Sequence, residues 1–242
     1  MNNYKLIIQY DGTNYCGWQT QKNASSVQQT IEQKLKIITK YKVNLTGSGR
    51  TDSGVHALGQ VANFKLEKEI DIYKFRYSLN SVLPNDISIL GMEQVYEEFN
   101  ARFNAKKRCY IYIFSNYKSP FLQKYSCYYN EVLDCNLLNK LSESFLGPND
   151  FTSFARQNTE TENKICNIYK IRWKETKGLV IFFIEADRFL HGMVRTIIGT
   201  VIKAVKEGQN EKFIENVLLA KDRKYAGESY PAKGLFLYKV KY

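Results

Sequence analysis

The chain predicts an α+β fold made of two ferredoxin-like α/β-sandwich halves, residues 1–105 and 106–242, with a cleft between them. Three observations lead there. Strand-period and helix-period stretches follow one another in the order β-α-β-β-α-β, and that order begins again after residue 105. The 242 residues are 44% hydrophobic, enough to fill cores of this size. Four prolines and no low-complexity tract point to a chain folded nearly end to end.

Residues 4–10 alternate as a strand and meet Asp11-Gly12, a turn signal, ahead of Gly17-Trp18-Gln19. Ser26 and Gln29 form a capping box. Val27, Ile31, Leu35 and Ile38 make one apolar stripe, and Lys34, Lys36 and Lys40 lie elsewhere on the helix as a solvated face. Residues 43–46 read as a strand entering a glycine-rich turn, and 60–66 return as a strand with Ala62, Phe64 and Leu66 on one face. A second helix, capped by Asp71 with Ile72, Phe75 and Leu79 inward, ends at Pro84, and 87–95 is again strand. In the second half, 108–115 is a strand and helix 137–146 stops at Gly147-Pro148. Strands 165–175 and 179–188 flank Lys177-Gly178. Helices 190–206 and 210–220 follow, the first with Val194, Ile198, Val201 and Val205 in its stripe, and 235–242 closes as a strand.

The turn Gly47-Ser48-Gly49-Arg50-Thr51-Asp52-Ser53-Gly54-Val55-His56-Ala57 carries the candidate chemistry. Its glycines admit backbone angles closed to other residues and let a ligand approach the main chain. Arg50 within hydrogen-bonding reach of Asp52 would hold the carboxylate ionised and fix its oxygens, the state wanted of a nucleophile or base. Taken alone, the same residues also fit an aspartate that merely caps its own turn.

Thirty-five Lys and Arg against 24 Asp and Glu leave a net charge of +11, and there are 18 tyrosines. A polyanion is the natural partner, since cations displace counterions from phosphates and aromatic faces stack on unpaired bases. The five cysteines, Cys16, Cys109, Cys127, Cys135 and Cys166, form no C-x-x-C pair, and only His56 and His191 could join them, which is not a metal-site pattern. Free thiols imply a reducing compartment. Without a signal-peptide core, and with no apolar stretch longer than 179–184, the expectation is a cytoplasmic protein that does not enter a membrane.

Seven segments then carry a resemblance over nearly the whole chain. They are Tyr10-Asp11-Gly12-Thr13 with Gly17-Trp18-Gln19, residues 47–64, Leu79-Asn80-Ser81-Val82-Leu83-Pro84, Ala101-Arg102-Phe103, Asp150-Phe151-Thr152-Ser153-Phe154, His191-Gly192-Met193-Val194-Arg195, and Pro231-Ala232-Lys233-Gly234-Leu235. In this order they resemble the tRNA pseudouridine synthase A family. The resemblance implies the pseudouridine synthase fold, with a catalytic cleft between the halves, and makes Asp52 the catalytic aspartate with Arg50 attending it. Tyr110 matches the tyrosine that stacks on the target base, and Arg195 the arginine that pairs with the aspartate from the second half. Leu235, with Leu237 near it, falls where the family sets an apolar residue against the base. His56 suits support of the turn better than proton transfer.

The implied reaction converts uridine to pseudouridine in the anticodon stem-loop of tRNA, at positions 38, 39 and 40, by a homodimer. It needs no redox cofactor and no metal. Ser53, Cys109, Ile111 and residues 227–230 depart from the common pattern and bear on RNA contact rather than on a catalytic group. A related synthase with another RNA target remains an alternative. So does a non-catalytic RNA-binding module, which accounts for the charge and Tyr110 but leaves Asp52, Arg50 and Arg195 without a purpose. Asp52-Ser53-Gly54 also fits an aspartic protease, against which Arg50 argues, because two carboxylates sharing a proton need few cations nearby.

Overall fold

A computed structural model describes residues 1–22, 24–156 and 162–242. The chain divides into two compact units, Met1–Lys106 together with Leu237–Tyr242, and Lys107–Phe236. Among the described residues no helix is long and apolar enough to cross a membrane.

The first unit contains β1 (Asn2–Tyr10), α1 (Val27–Thr39), β2 (Thr46–Gly47), β3 (His56–Leu66), α2 (Ile72–Val82) and β4 (Ile87–Val95). Its strands run β4-β1-β3 with β2 on the far side of β3, the ferredoxin-like order. The pairs are antiparallel, with Leu6 opposite Ala62 on β3 and Met92 on β4. Alternation along β1 buries Tyr4, Leu6 and Ile8 completely. The rings of Tyr4 and Phe64 lie 5.7 Å apart, and Phe64 lies 5.9 Å from Phe75 of α2, so this face of the sheet meets the helices. Fully burying a side chain of this size contributes about 1.5–3 kcal/mol. Both helices begin as their sequences imply: Ser26 Oγ accepts Gln29 N–H and Asp71 accepts Lys74 N–H.

The strand expected over 43–46 is reduced to β2. Val43 and Leu45 are buried, but the main chain of Leu45 bonds to α1: its N–H goes to Glu32 Oε1 (2.9 Å) and its carbonyl accepts Gln28 Nε2–H (2.9 Å). Side chains of the helix have taken the bonds a sheet partner would need.

The second unit contains β5 (Lys107–Ser115), β6 (Cys127–Tyr128), α3 (Cys135–Ser142), β7 (Gly147–Asp150), β8 (Ile165–Thr176), β9 (Leu179–Ala186), α4 (Met193–Lys206) and α5 (Glu211–Ala220). Antiparallel neighbours run β5-β9-β8-β7, and β6 pairs with β5 in parallel. Lys177 (φ 48°) and Gly178 (φ 75°) make the two-residue turn between β8 and β9. Ten of the fourteen residues of α4 are buried, which makes it the core helix of this unit.

Helix 137–146 is corrected at both ends. Asp134 accepts the N–H groups of Asn136 and Leu137 and starts α3 at Cys135, and the helix tightens to a 3₁₀ turn over Glu143–Phe145. Gly147, at φ 82°, opens β7 instead of ending a helix. Likewise α4 starts at Met193, because Gly192 at φ 75° is its cap.

β10 (Leu235–Lys241) is divided between the units. Its later residues lie beside β3, where Gly59 has no room for a side chain against the carbonyl of Tyr238. Lys106 N–H bonds to Lys241 O (2.8 Å), and Tyr242 OH donates to Ala101 O (2.7 Å).

Candidate active site

Asp52 sits half-buried in the turn between β2 and β3, and its carbonyl accepts Val55 N–H (3.2 Å). The flanking residues are held from both sides. Trp18 N–H bonds to Thr51 O (3.2 Å), while Tyr15 O accepts Gly54 N–H (3.2 Å) and the Ser53 hydroxyl (3.3 Å). The hydroxyls of Tyr10 and Thr51 are 2.8 Å apart. Tyr10 reaches Thr51 from the end of β1, where the register with β3 slips between Ile8 and Tyr10, a bulge that re-aims the side chain.

A second layer supports the first. Tyr15 OH donates to Asp86 Oδ1 (2.8 Å), and Asp11 N–H bonds to Asp86 O (2.9 Å). Burial, and then the bond to Asp86, pushes the Tyr15 phenol above its ordinary range. Ser48 donates to Gln60 Oε1 (2.7 Å), and Gln60 Nε2 donates to Gly49 O (3.0 Å). Gly12 lies so close to the turn that a Cβ there would stand 2.0 Å from Val55 O. Three segments far apart in sequence, around residues 10–19, 47–57 and 86, therefore meet behind Asp52.

His56 is 1% exposed, and its Nδ1 lies 3.1 Å from both Gly12 N and Asp11 Oδ1. One ring nitrogen cannot accept from an amide and donate to a carboxylate at once. Asp11 Oδ1 already receives the N–H and hydroxyl of Thr13, so the bonds assign Nδ1 as the acceptor for Gly12. His56 thus ties the end of β1 to the start of β3.

Arg50 is exposed, and among the described residues its side chain enters no hydrogen bond or ion pair. Arg50 and Asp52 share the turn of the first unit; Tyr110, Arg195 and Leu235 belong to the second.

Tyr110 is on β5 opposite Ile184 of β9, 8% exposed, with its ring edge-on to Phe189 at 5.1 Å. Arg195, in the first turn of α4, donates from Nε to Tyr230 O (2.5 Å), and its own carbonyl accepts Tyr230 N–H (3.2 Å). The same helix face grips the rest of this loop. Thr196 and Ser229 hydroxyls are 2.9 Å apart, Gly227 N–H bonds to Thr200 Oγ1 (2.9 Å), and a Cβ on Gly199 would lie 1.8 Å from Glu228 O. Tyr112 OH then fixes Pro231 O (2.9 Å), and burial, followed by nearby Cys127, raises its phenol well above the usual range. The clasp delivers Leu235, 4% exposed, at the start of β10. Leu237, 1% exposed, is already in the first unit.

Tyr15, Asp86, Gln60 and Thr196 were not singled out from the sequence. All four lay inside or beside recognised segments, but nothing in a one-dimensional pattern joins a tyrosine to an aspartate 71 positions on.

The fold and this constellation define an α+β protein with an acid-bearing turn in one unit and an arginine-clasped loop in the other. The profile of a family described as tRNA pseudouridine synthase matches residues 6–104 and 141–242, and the chain belongs to that family. The tRNA pseudouridine synthase A of Clostridium acetobutylicum is 41% identical, with 100% of both chains covered. That of Caldicellulosiruptor saccharolyticus is 43% identical, again over 100% of both. The tRNA pseudouridine synthase A 1 of Protochlamydia amoebophila is 42% identical over 100% of this chain and 97% of its own.

Proposed function

We propose that this protein isomerises uridine to pseudouridine in tRNA, at positions 38, 39 and 40 of the anticodon stem-loop, with Asp52 as the nucleophile. The observation that carries the reading is a half-buried carboxylate on a turn pinned on both sides by main-chain bonds from Tyr15 and Trp18. A group so positioned loses little freedom on reaching the transition state. Full-length relatives at about 40% identity, each called tRNA pseudouridine synthase A, support the substrate class.

The reaction breaks the bond from ribose C1′ to uracil N1 and forms one from C1′ to C5; the C5 proton leaves and N1 gains one. An ionised carboxylate serves whether it adds to uracil C6, attacks C1′ or supports a glycal route. A stacked uridine must first be flipped out, at a cost of about a few kcal/mol. In this reading Tyr110 and Leu235 bracket the everted base, Arg195 pairs with Asp52, and Arg50 contacts the RNA. Stacking on one aromatic is worth about 1–3 kcal/mol and offsets much of the flipping cost. The +11 charge supplies salt-sensitive phosphate contacts. The protein acts as a cytoplasmic homodimer.

The test is Asp52→Ala assayed by chemical mapping of pseudouridine in a tRNA transcript. Conversion falls below detection while tRNA binding stays within a few-fold of the parent. Residual conversion at the parental rate refutes the nucleophile. A monomeric mass by light scattering refutes the dimer.

A further inference from the structure

Ala101-Arg102-Phe103 has no part in the chemistry above, yet its turn is among the most heavily braced in the first unit. Asn100 Oδ1 accepts the N–H groups of Arg102 (2.9 Å) and Phe103 (3.2 Å). Asn104 closes the turn, its N–H on Asn100 O (3.0 Å) and its Oδ1 taking Asn100 N–H (2.7 Å). Two sheet asparagines hold the base of the turn, Asn3 at 1% and Asn63 at 6% exposure. Asn63 Oδ1 accepts Ala101 N–H (2.9 Å), Asn3 Nδ2 donates to Phe99 O (2.9 Å), and the two amides bond to each other (3.0 Å). Tyr242 OH adds the bond to Ala101 O (2.7 Å).

Burying two amides in a sheet is unfavourable unless their groups are bonded, and here they fix one surface turn. At its apex the Phe103 ring is 78% exposed, with the Arg102 guanidinium 5.5 Å from its centroid. A flexible loop would fold such a ring away from water; this turn is braced in a way that keeps it out. A rigid, solvent-facing aromatic with a cation beside it is the arrangement that receives an unpaired base and its phosphate. The neighbours favour that occupant over an apolar protein surface, since Asn104, Lys106 and Lys241 are exposed and polar or cationic.

We propose that Phe103 is a stacking platform for an unpaired nucleotide of the tRNA other than the target uridine, with Arg102 on its phosphate. The proposal rests on the reading of tRNA as substrate, but binding alone tests it. In the Asp52→Ala background, Phe103→Ala and Phe103→Trp are titrated with a fluorescently labelled tRNA transcript, and the parent is assayed for pseudouridine in parallel. Phe103→Ala weakens binding about tenfold, and Phe103→Trp restores it. Because Trp18 and Trp173 are each 1% exposed, the new indole supplies the acrylamide-accessible emission, and tRNA quenches it. Parental affinity in Phe103→Ala overturns the proposal. So does a change in oligomeric mass with unchanged affinity, which makes the patch a contact between copies. An inactive parent whose affinity still depends on residue 103 refutes the isomerase and leaves the platform standing.

Discussion

The turn around Asp52 and the loop before Leu235 are fixed by opposite means. In the first unit the ties are distributed: Tyr10, Gly12, Tyr15 and Trp18 from the 10–19 segment and Gln60 from β3 each reach the turn, mostly through single hydrogen bonds of about 1 kcal/mol. In the second, one face of α4 does nearly everything, through the double bond pair of Arg195 with Tyr230 and a main-chain approach that only glycine allows at residue 199. A distributed scaffold softens by degrees when one tie is lost, whereas a steric clasp either closes or does not.

The sharpest way to break this contrast is to add a methyl group. Gly199→Ala puts a Cβ into Glu228 O and costs about 3 kcal/mol in urea unfolding, despite the better helix propensity of alanine. An unchanged midpoint would mean that the loop yields and no clasp exists.

Alkaline pH separates the units next. Burial pushes Cys166 up to about 12, and burial likewise raises Tyr112 and Tyr230, all in the second unit; the first has Tyr15. A raised folded-state pKa contributes stability that is fully present below the unfolded value, near 8.5 for a thiol, and is lost as pH climbs toward the folded one. Stability therefore falls by about 2 kcal/mol between pH 8.5 and 10.5 from Cys166 alone. Cys166→Ala flattens that slope; an unaltered slope contradicts the assignment.

Tyr15→Phe sharpens the picture of distributed ties. It removes the bond to Asp86 and costs about 1–2 kcal/mol, with kcat falling several-fold and KM nearly constant, because the turn loosens without losing an RNA contact. A rise in KM at constant kcat would move Tyr15 into the binding surface. Smallest is Ser229→Ala, at about 0.5–1 kcal/mol, the net worth of one neutral hydrogen bond, since the Gly227–Thr200 bond remains. A cost equal to that of Gly199→Ala would show that the hydroxyls, not the close approach, hold the loop.

What could be read from the chain follows from the range of each interaction. Ser26 and Asp71 cap helices through bonds three residues long, and Lys177-Gly178 turns a hairpin locally, so all three were visible. Residues 43–45 misled because their apolar spacing suits a strand while Glu32 and Gln28 of α1 claim the backbone. Residues 143–147 misled because Glu143–Phe145 tightens and Gly147 leaves by a left-handed angle. Asp52 stood out by its glycine punctuation. Its supports did not, since Tyr15 meets Asp86 and Gln60 meets Gly49 through folding alone.

The sharing of β10 sets an order of assembly. Residues 237–242 complete the unit that holds the carboxylate, yet they leave the ribosome after the whole second unit. Until then β3 lacks its neighbour and the Ala101 carbonyl lacks its phenol. A nascent chain stalled anywhere before these residues would carry an unfinished acid-bearing unit.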